Sequence, residues 1–309
     1  MFEYNCTENN MCDMEESRKF WHLCTPGQLS GEIFRERKDF VFGMNLVALL
    51  AAIHIEWVAI YTFELMHNHF HFVVSGEEGS IMDFFNDLYK RLKRYLVSEE
   101  RFSDLKGFYP TLVPIKNITH LRNVIVYANR NGYLVNKNTT PFSYYWGANR
   151  YFFSLAHEYE NRQKVLLHDI PINERRKIFR SHFNDFPQNY YFTEDYISPY
   201  SYVLISEAES LFKSAHDYFS LVSRSVETFA SISKELGDKI AYTDEELSSV
   251  IYTIAMDKYR TKPFELEKNA KLDVAKTLHF KYNAPNQQIR RVLRLDIEIL
   301  EELFPSSRQ

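Results

Sequence analysis

The sequence predicts an α+β protein in which an antiparallel β-sheet with helices is followed by an all-α region. Two observations predict this class. In residues 19–155 the apolar spacing alternates between strand and helix periods, in the order strand, helix, strand, strand, helix, strand, helix. Beyond residue 155 the spacing is almost entirely helical, so a second, helical domain is predicted at 156–309. Residues 1–18 are polar and are predicted to form a leader.

The elements of the first domain follow from apolar spacing and residue type. Strands are predicted at 20–25, 56–65, 69–75 and 111–115, and helices at 38–53, 81–97 and 118–131. Only a short break from Met66 to Asn68 separates the second strand from the third, so these two are predicted to pair as antiparallel neighbours. Gly132 is a typical residue to end the last of these helices.

The second domain is predicted to consist of helices, at 173–181, at 207–236 and from the capping box of Thr243 and Glu246 through Met256. Residues 266–304 then give a helix, a short turn, a helix over 287–293 and a third helix, which resembles a helix-turn-helix. Seven basic residues and one acid lie between Lys268 and Arg294. The outward, DNA-contacting residues are predicted to be Gln287, Gln288, Arg290, Arg291 and Arg294. The alternative is a basic face on a small helical bundle.

Composition and charge exclude several functions. Among 309 residues there are 9 glycines and neither a GxxxxGK[ST] nor a GxGxxG sequence, so no nucleotide cofactor is expected. Lys and Arg total 37 against 41 Asp and Glu, so nucleic-acid binding has to come from local patches. Three cysteines without a CxxC pair fit a reducing cytosol. The longest apolar run, residues 46–53, is too short for a membrane span. We therefore expect a cytoplasmic protein without a membrane partner.

The third predicted strand contains two histidines that share one face. Residues i and i+2 of a strand point the same way, so His69 and His71 lie together while Phe70 and Phe72 point into a core. Two adjacent imidazoles can hold one divalent metal ion, and His67 in the preceding turn could add a third ligand. The alternative is a pair of half-exposed histidines on a sheet face. A further set, Cys6, Cys12, His22 and Cys24, matches no common zinc spacing and predicts no site.

The helix over 118–131 presents a second candidate group. Its buried stripe is formed by Leu121, Val124, Ile125 and Ala128, and a separate stripe by His120, Asn123, Tyr127 and Asn131. Tyr127 and Asn131 are four residues apart, so a phenol hydroxyl and an amide oxygen face one space. Taken alone, a tyrosine on a helix is most often a packing residue.

Taken together, these two groups resemble the single-tyrosine HUH transposases, and most closely the REP-associated tyrosine transposases and their insertion-sequence relatives. His69-Phe70-His71 is similar to the HUH motif, and Tyr127-x-x-x-Asn131 to the tyrosine helix of that family. Residues 142–146 loosely match a further aromatic stretch. Two prolines of the family pattern are replaced, by His67 and by Gly132. The resemblance covers about residues 18–155 and implies a ferredoxin-like sheet with the HUH strand at its centre.

The resemblance also implies an activity: metal-dependent cleavage and strand transfer of single-stranded DNA beside a hairpin, by a homodimer. Mg²⁺ or Mn²⁺ would be held by His69, His71 and the side-chain oxygen of Asn131, and Tyr127 would attack the phosphate to form a 5′-phosphotyrosine. The residues expected to contact DNA in this domain are Lys90, Arg91, Lys93, Arg94, Arg130, Tyr144, Tyr145 and Trp146. The alternatives for these are a solvated helix face and core aromatics. Duplex DNA is the expected partner of the C-terminal region.

Two other functions stay open from the sequence. The replaced prolines allow a catalytically inactive or domesticated relative that recognises DNA without cutting it. A regulator stabilised by zinc on His67, His69 and His71 is the second alternative.

Overall fold

The structure is a computed structural model that describes residues 18–27, 30–134, 144–155, 160, 164–222, 244–282 and 284–304. Its regular elements are, in chain order, β1 (Phe20–Cys24), α1 (Arg37–Ile53), β2 (Ala59–Leu65), β3 (Phe70–Ser75), α2 (Glu78–Ser98), β4 (Thr111–Ile115), α3 (Ile118–Leu134), β5 (Val165–Leu166), α4 (Ile172–Phe179), β6 (Tyr191–Thr193), β7 (Tyr196–Ile197), α5 (Ile205–Ser210), α6 (Ala215–Val222), α7 (Asp244–Ile254), α8 (Lys268–Tyr282), α9 (Asn286–Leu293) and α10 (Ile297–Leu303). The α+β class and the antiparallel sheet predicted from the sequence are confirmed.

The main sheet contains four strands in the order β2-β3-β1-β4, and every neighbouring pair is antiparallel. In the register of β1 and β3, Cys24 lies opposite His71 and His22 opposite Val73. Residues opposite each other in an antiparallel pair project from the same face. His22, Cys24 and His71 therefore share one face, and the pairing of β1 with β3 brings them together.

The opposite face of the sheet carries the main apolar core. Phe72 packs edge-on against Phe84 with ring centres 5.7 Å apart, and Phe70 contacts Phe85 at 6.2 Å. Both phenylalanines of β3 are buried, as the alternation predicted. Helices α1 and α2 cover this face, while α3 lies on the histidine face against β2 and β3.

A small second sheet, β5-β6-β7, lies in a segment where only helices were predicted, and that prediction is wrong. Its strands have two or three residues, too short to display an alternating pattern in the sequence. This segment packs on the outer side of α1, where Leu49 and Ala52 join a cluster with Phe179 and Phe186.

The helix predicted over 207–236 is interrupted. The chain forms α5, leaves the helix, and restarts at α6, while residues 223–236 lie outside the described part. The restart has a local cause, since the Ser214 hydroxyl accepts a hydrogen bond of 3.2 Å from the Asp217 amide. A serine followed three residues later by an acid is a helix-start pattern, so the sequence contained the signal for this break.

Helices α7 to α10 form their own apolar core, separate from that of the main sheet. The helices and the turn predicted over 266–304 are confirmed, and Ile289 and Leu293 point inward as expected. Gln288 was predicted to point outward and is buried, with 1% exposure. Its burial arises because α9 packs against α7, α8 and α10, so its covered surface is wider than a single stripe. Within the described ranges, no helix has the length and apolar character needed to cross a bilayer.

Candidate functional site

The candidate site forms where β1, β3 and α3 meet on the histidine face of the sheet. The rings of His69 and His71 are perpendicular, with centres 5.0 Å apart. The Tyr127 ring stands edge-on to His71 at 5.5 Å and to His22 at 5.8 Å. The structure thus brings together the two histidines and the tyrosine singled out in the sequence, although they are more than 50 residues apart along the chain.

All of these side chains are buried. The exposed fractions are 4% for His69, 5% for His71, 7% for Tyr127 and 0% for His22. Burial follows from the local sequence, because β3 is apolar at alternate positions and α3 covers the histidine face. Polar atoms held in such a place need partners, so their hydrogen bonds define the chemistry of the site.

The hydrogen bonds around Asn68 fix the protonation of His69. Asn68 Nδ2 donates to the carbonyl oxygen of Gly27 at 2.6 Å, which leaves Asn68 Oδ1 facing His69 Nδ1 at 2.7 Å. An amide oxygen can only accept, so Nδ1 of His69 carries the proton and Nε2 keeps its lone pair. A glycine is required at position 27, since a Cβ there would lie 2.6 Å from His69 Nδ1.

His71 shares a proton with His22. His71 Nδ1 lies 3.1 Å from His22 Nε2, and the two rings are parallel within 6°. When Nδ1 of His71 is the donor, its Nε2 has a lone pair to offer. The Nε2 atoms of His69 and His71 are both buried and have no hydrogen-bond partner among the described residues.

Burial keeps these imidazoles neutral. It lowers the pKa of His22 to about 4, with a smaller contribution from His120. It also lowers the pKa of His69 to about 4 and that of His71 well below the ordinary value. The neutral imidazole is the form that binds metal ions, so the pair is ready to act as ligands at neutral pH.

The separation of the His69 and His71 rings is compatible with one shared metal ion. An ion about 2.1 Å from a ring nitrogen lies roughly 3 Å from the ring centre, so two rings on one ion have centres up to about 6 Å apart. The observed separation is 5.0 Å. The third expected ligand, Asn131, belongs to α3, but its side chain lies outside the described residues.

A second group of possible metal ligands surrounds the same histidine. The donor atoms of His22, Cys24 and His71 all lie within 4.8 Å of one another, and all three residues are buried, so the group could bind a metal ion. The spacing of His22 and Cys24 in the sequence predicts no site. An H-x-C pattern on a strand was the available signal, because its two side chains share a face.

His67 does not join the histidine pair. Its Nδ1 lies 2.9 Å from the Phe34 carbonyl oxygen, and its ring stands against Phe40 at 5.4 Å, beside α1. The three-histidine zinc site considered from the sequence is therefore not formed.

A chain of buried polar groups runs beside the site and ties α3 to the sheet. The Thr62 hydroxyl donates to Asn129 Oδ1, Asn129 Nδ2 donates to the Tyr218 hydroxyl at 2.8 Å, and that hydroxyl donates to Asn149 Oδ1 at 2.6 Å. The backbone N–H of Asn149 in turn donates to Glu64 Oε1 at 3.3 Å. Glu64 lies opposite His71 in the register of β2 and β3, and burial raises the pKa of its carboxyl well above the ordinary value.

The basic residues predicted to contact DNA on α2 lie on the other side of the sheet. Lys90, Lys93 and Arg94 are exposed, but α2 covers the face opposite Tyr127. Arg91 donates to the Ser181 hydroxyl at 3.4 Å, which places it beside α4. The structure does not bring this group to the candidate site.

The predicted aromatic contacts are divided between core and surface. Trp146 stacks on Phe40 with ring centres 4.9 Å apart, and the Tyr144 hydroxyl donates to the Leu65 carbonyl oxygen at 2.5 Å. Tyr145 is 42% exposed, with the Arg150 guanidinium 4.3 Å above its ring. Arg130, predicted to contact DNA, is buried within α3. Among Tyr144, Tyr145 and Trp146, Tyr145 is therefore the one with an exposed ring.

The C-terminal helices approach the site through α7, which contacts α3. Arg291 of α9 forms a two-point ion pair with Asp244 of α7, at 2.8 and 3.1 Å. The charges of Asp244 and Arg291 both act on His69, the first raising and the second lowering its pKa, although burial has the larger effect. Gln287, Arg290 and Arg294 are exposed on α9 or at its end.

No protein-family model, curated protein or solved structure matches this chain. The interpretation of the site therefore depends on its geometry and on the resemblance of its motifs.

Proposed function

We propose that the protein is a metal-dependent transferase of single-stranded DNA that uses Tyr127 as its nucleophile, as in the HUH transposases. The observation that supports this most is the contact of Tyr127 with His71, beside two buried imidazole nitrogens that have no hydrogen-bond partner among the described residues. A structural histidine pair in a core would be expected to have both nitrogens satisfied.

The topology gives independent support. The order β-α-β-β-α-β and the strand order β2-β3-β1-β4 support the ferredoxin-like sheet that the resemblance implies. The strand with the His69 and His71 pair is one of the two central strands, as the resemblance implies. Tyr127 then reaches the pair from the helix that follows β4.

The chemistry needs few groups. The Tyr127 oxygen attacks the phosphorus, a Tyr–O–P bond forms, and the P–O3′ bond breaks. The tyrosine proton leaves as the nucleophile reacts, and the released 3′ oxygen takes up a proton, so the phosphodiester energy is kept in the covalent bond. His69 and His71, with Asn131, would hold Mg²⁺ or Mn²⁺, which supplies charge stabilisation at the phosphate.

The test is covalent capture of DNA. Purified protein is mixed with MnCl₂ and a labelled pool of single strands that contain a hairpin with randomised flanks, and adducts are resolved under denaturing conditions. We expect an adduct with the natural chain and none with Tyr127→Phe, which keeps the ring and its packing. Tyr109→Phe is the matched control and is expected to react normally, because its ring is half-exposed and it belongs to none of the predicted DNA-contacting residues.

Two results would contradict the proposal. One is an adduct formed by Tyr127→Phe, in which case Tyr144 is the next tyrosine to test. The other is an adduct formed at full rate in excess chelator, which would exclude a metal role for His69 and His71.

The burial of the three side chains favours a second candidate, a DNA-binding regulator that does not cut. His69, His71 and Tyr127 each expose less than a tenth of their surface, so no phosphate reaches them in this conformation. In the same experiment this candidate predicts hairpin binding in a gel-shift assay without any adduct, with or without Mn²⁺.

A further inference from the structure

We propose that His22, Cys24 and His71 form a zinc site that competes with the His69 and His71 pair for His71. The zinc site itself depends only on the three side chains. Its consequence, inhibition of DNA cleavage by zinc, rests on the function proposed above. The site is distinct from that pair because it uses β1 and the other nitrogen of His71.

The geometry needs little change to accept the ion. Two nitrogens bound to one tetrahedral zinc at about 2.0–2.1 Å lie roughly 3.3 Å apart. His22 Nε2 and His71 Nδ1 are already 3.1 Å apart. Cys24 lies directly opposite His71 in the register of β1 and β3, and its sulfur is within 4.8 Å of one ring nitrogen of each histidine. Three protein ligands of this kind leave a fourth position for water.

The donor set selects the metal. A thiolate is a soft ligand that favours zinc or copper(I), whereas Mg²⁺ and Mn²⁺ prefer oxygen ligands. Binding balances as one Zn²⁺ taken up and one proton released, which comes from the Cys24 thiol, since both imidazoles bind in their neutral form. The site is therefore expected to discriminate against the metals of the DNA reaction.

In its neutral form, His71 can serve only one of the two sites at a time. A neutral imidazole has one nitrogen with a lone pair and one that carries a proton. When zinc occupies Nδ1, the proton stands on Nε2, and that atom can no longer bind a metal shared with His69. Zinc bound to His22, Cys24 and His71 would thus prevent the His69 and His71 pair from binding its metal, without contacting His69 or Tyr127.

The experiment measures zinc binding by the full chain and its effect on the DNA adduct. Zinc is titrated against a chromogenic chelator to give stoichiometry and affinity, and Co²⁺ is used as a probe because a cobalt–thiolate bond has a characteristic charge-transfer absorption. We expect one zinc ion per chain and the thiolate band. Cys24→Ser should lose the band and weaken zinc binding by about 100-fold or more. His69→Ala is the matched control, and it should bind zinc as the natural chain does.

The adduct assay then separates the two proposals. Zinc should suppress the Mn²⁺-dependent adduct of the natural chain, and the same zinc concentration should have much less effect on Cys24→Ser. If zinc binds and depends on Cys24 but no variant forms an adduct, the zinc site stands and the proposed function fails. Zinc binding that survives in Cys24→Ser and is lost in His69→Ala would overturn the inference. Circular dichroism of each variant confirms folding, and Cys24→Ala replaces Cys24→Ser if the serine variant is unfolded.

Discussion

Glu64 is a fully buried carboxylic acid, in a position where water cannot solvate a negative charge. Its exposure is 0%, its Oε2 has no hydrogen-bond partner in the described part of the chain, and burial raises its pKa well above the ordinary 4.5. The folded protein therefore keeps a proton that the unfolded chain loses above that value. It follows that the free energy of unfolding decreases as the pH rises from about 4.5 toward the folded-state pKa.

Replacing Glu64 by glutamine removes the group whose protonation makes the stability fall with rising pH. We expect Glu64→Gln to match the natural chain near pH 5 and to be more stable at pH 8, with a difference that grows by up to about 1.4 kcal/mol per pH unit. Urea unfolding at the two pH values measures it. Glu77→Gln, at an exposed site, is the control and should show no such trend. A constant difference at all pH values would mean that Glu64 is ionised in the folded protein.

The site was predictable from sequence only where its residues share one element. His69 and His71 were found because a strand period places them on one face, and Tyr127 because of its spacing to Asn131 on a helix. His22 and Cys24 were missed because they join the site through the β1–β3 register, which local spacing does not contain. The cations of α2 were placed near DNA by charge alone, and charge does not tell which face of a sheet a helix covers.

At the scale of the element, α3 is fixed to the sheet by Asn129. Both ends of its buried amide are bonded, to the hydroxyls of Thr62 and Tyr218. We expect Asn129→Ala to lower the free energy of unfolding by about 2–4 kcal/mol, because two buried hydroxyls lose a partner. Chemical denaturation measures the loss. Asn123→Ala, half-buried on the same helix, should cost clearly less.

A double-mutant cycle with Tyr218→Phe tests whether the chain acts as a unit. The double variant should lose less free energy of unfolding than the sum of the two single variants, because each single change leaves the other group without its hydrogen-bond partner. We expect a coupling energy of about 0.5–3 kcal/mol. Additive losses would show that Asn129 and Tyr218 stabilise the protein independently.

The two arginines within α9 differ in how available their charge is to a phosphate. Arg290 is exposed, whereas the Arg291 guanidinium is already engaged by Asp244. For duplex binding by the full chain, we expect Arg290→Ala to reduce the slope of log K against log[salt] by about 0.9, the amount for one phosphate contact, and Arg291→Ala to reduce it less. Fluorescence anisotropy at several salt concentrations gives the slopes. Equal slopes for all three proteins would exclude a phosphate contact by either arginine.

Helices and strands were predicted correctly where they are long enough to display a periodic pattern, and were missed where they have only two or three residues. The four strands of the main sheet and the helices α1 to α3 lie within a few residues of their predicted bounds. Strands such as Val165–Leu166 have too few residues to display a period, and their pairing is decided by packing on α1. The gap between α5 and α6 was missed because an apolar stripe continues across it.

At the scale of the whole molecule, a buried ionic network joins α1 and α2 to the loops around them. Asp39 is fully buried and accepts hydrogen bonds from the Tyr95 hydroxyl at 2.5 Å and from Arg101 at 2.8 Å. Burial acts to raise its pKa, but the hydrogen bonds from Tyr95, the Arg35 amide, Arg101 and the Glu36 amide outweigh it and lower the pKa below 3.8. The charged carboxylate therefore stabilises the fold at neutral pH.

The sign of this effect makes the protein sensitive to acid. Stability from Asp39 is present above the ordinary pKa of 3.8 and is lost as the pH falls through the lower folded-state pKa. We expect Asp39→Asn to cost about 3 kcal/mol at pH 7, and the difference from the natural chain to shrink below about pH 4. Thermal or urea unfolding across this range measures it. Asp83→Asn, exposed on α2, is the control, and a cost independent of pH would contradict the assignment.

The two separate cores suggest how a substrate could reach the buried side chains of the site. Helices α7 to α10 have their own core, so we expect them to unfold locally at a lower free energy than the whole molecule, with the four-stranded sheet still folded. Since α7 contacts α3, the helix of Tyr127, a DNA strand that acted at Tyr127 would bind the molecules in which α7 to α10 are detached. If about 1% of the molecules were detached, the apparent affinity would be about 100-fold weaker than the intrinsic one. Under the proposed function, DNA cleavage would then depend on a local folding equilibrium, and it would increase under mild conditions that unfold these four helices before they disturb the sheet.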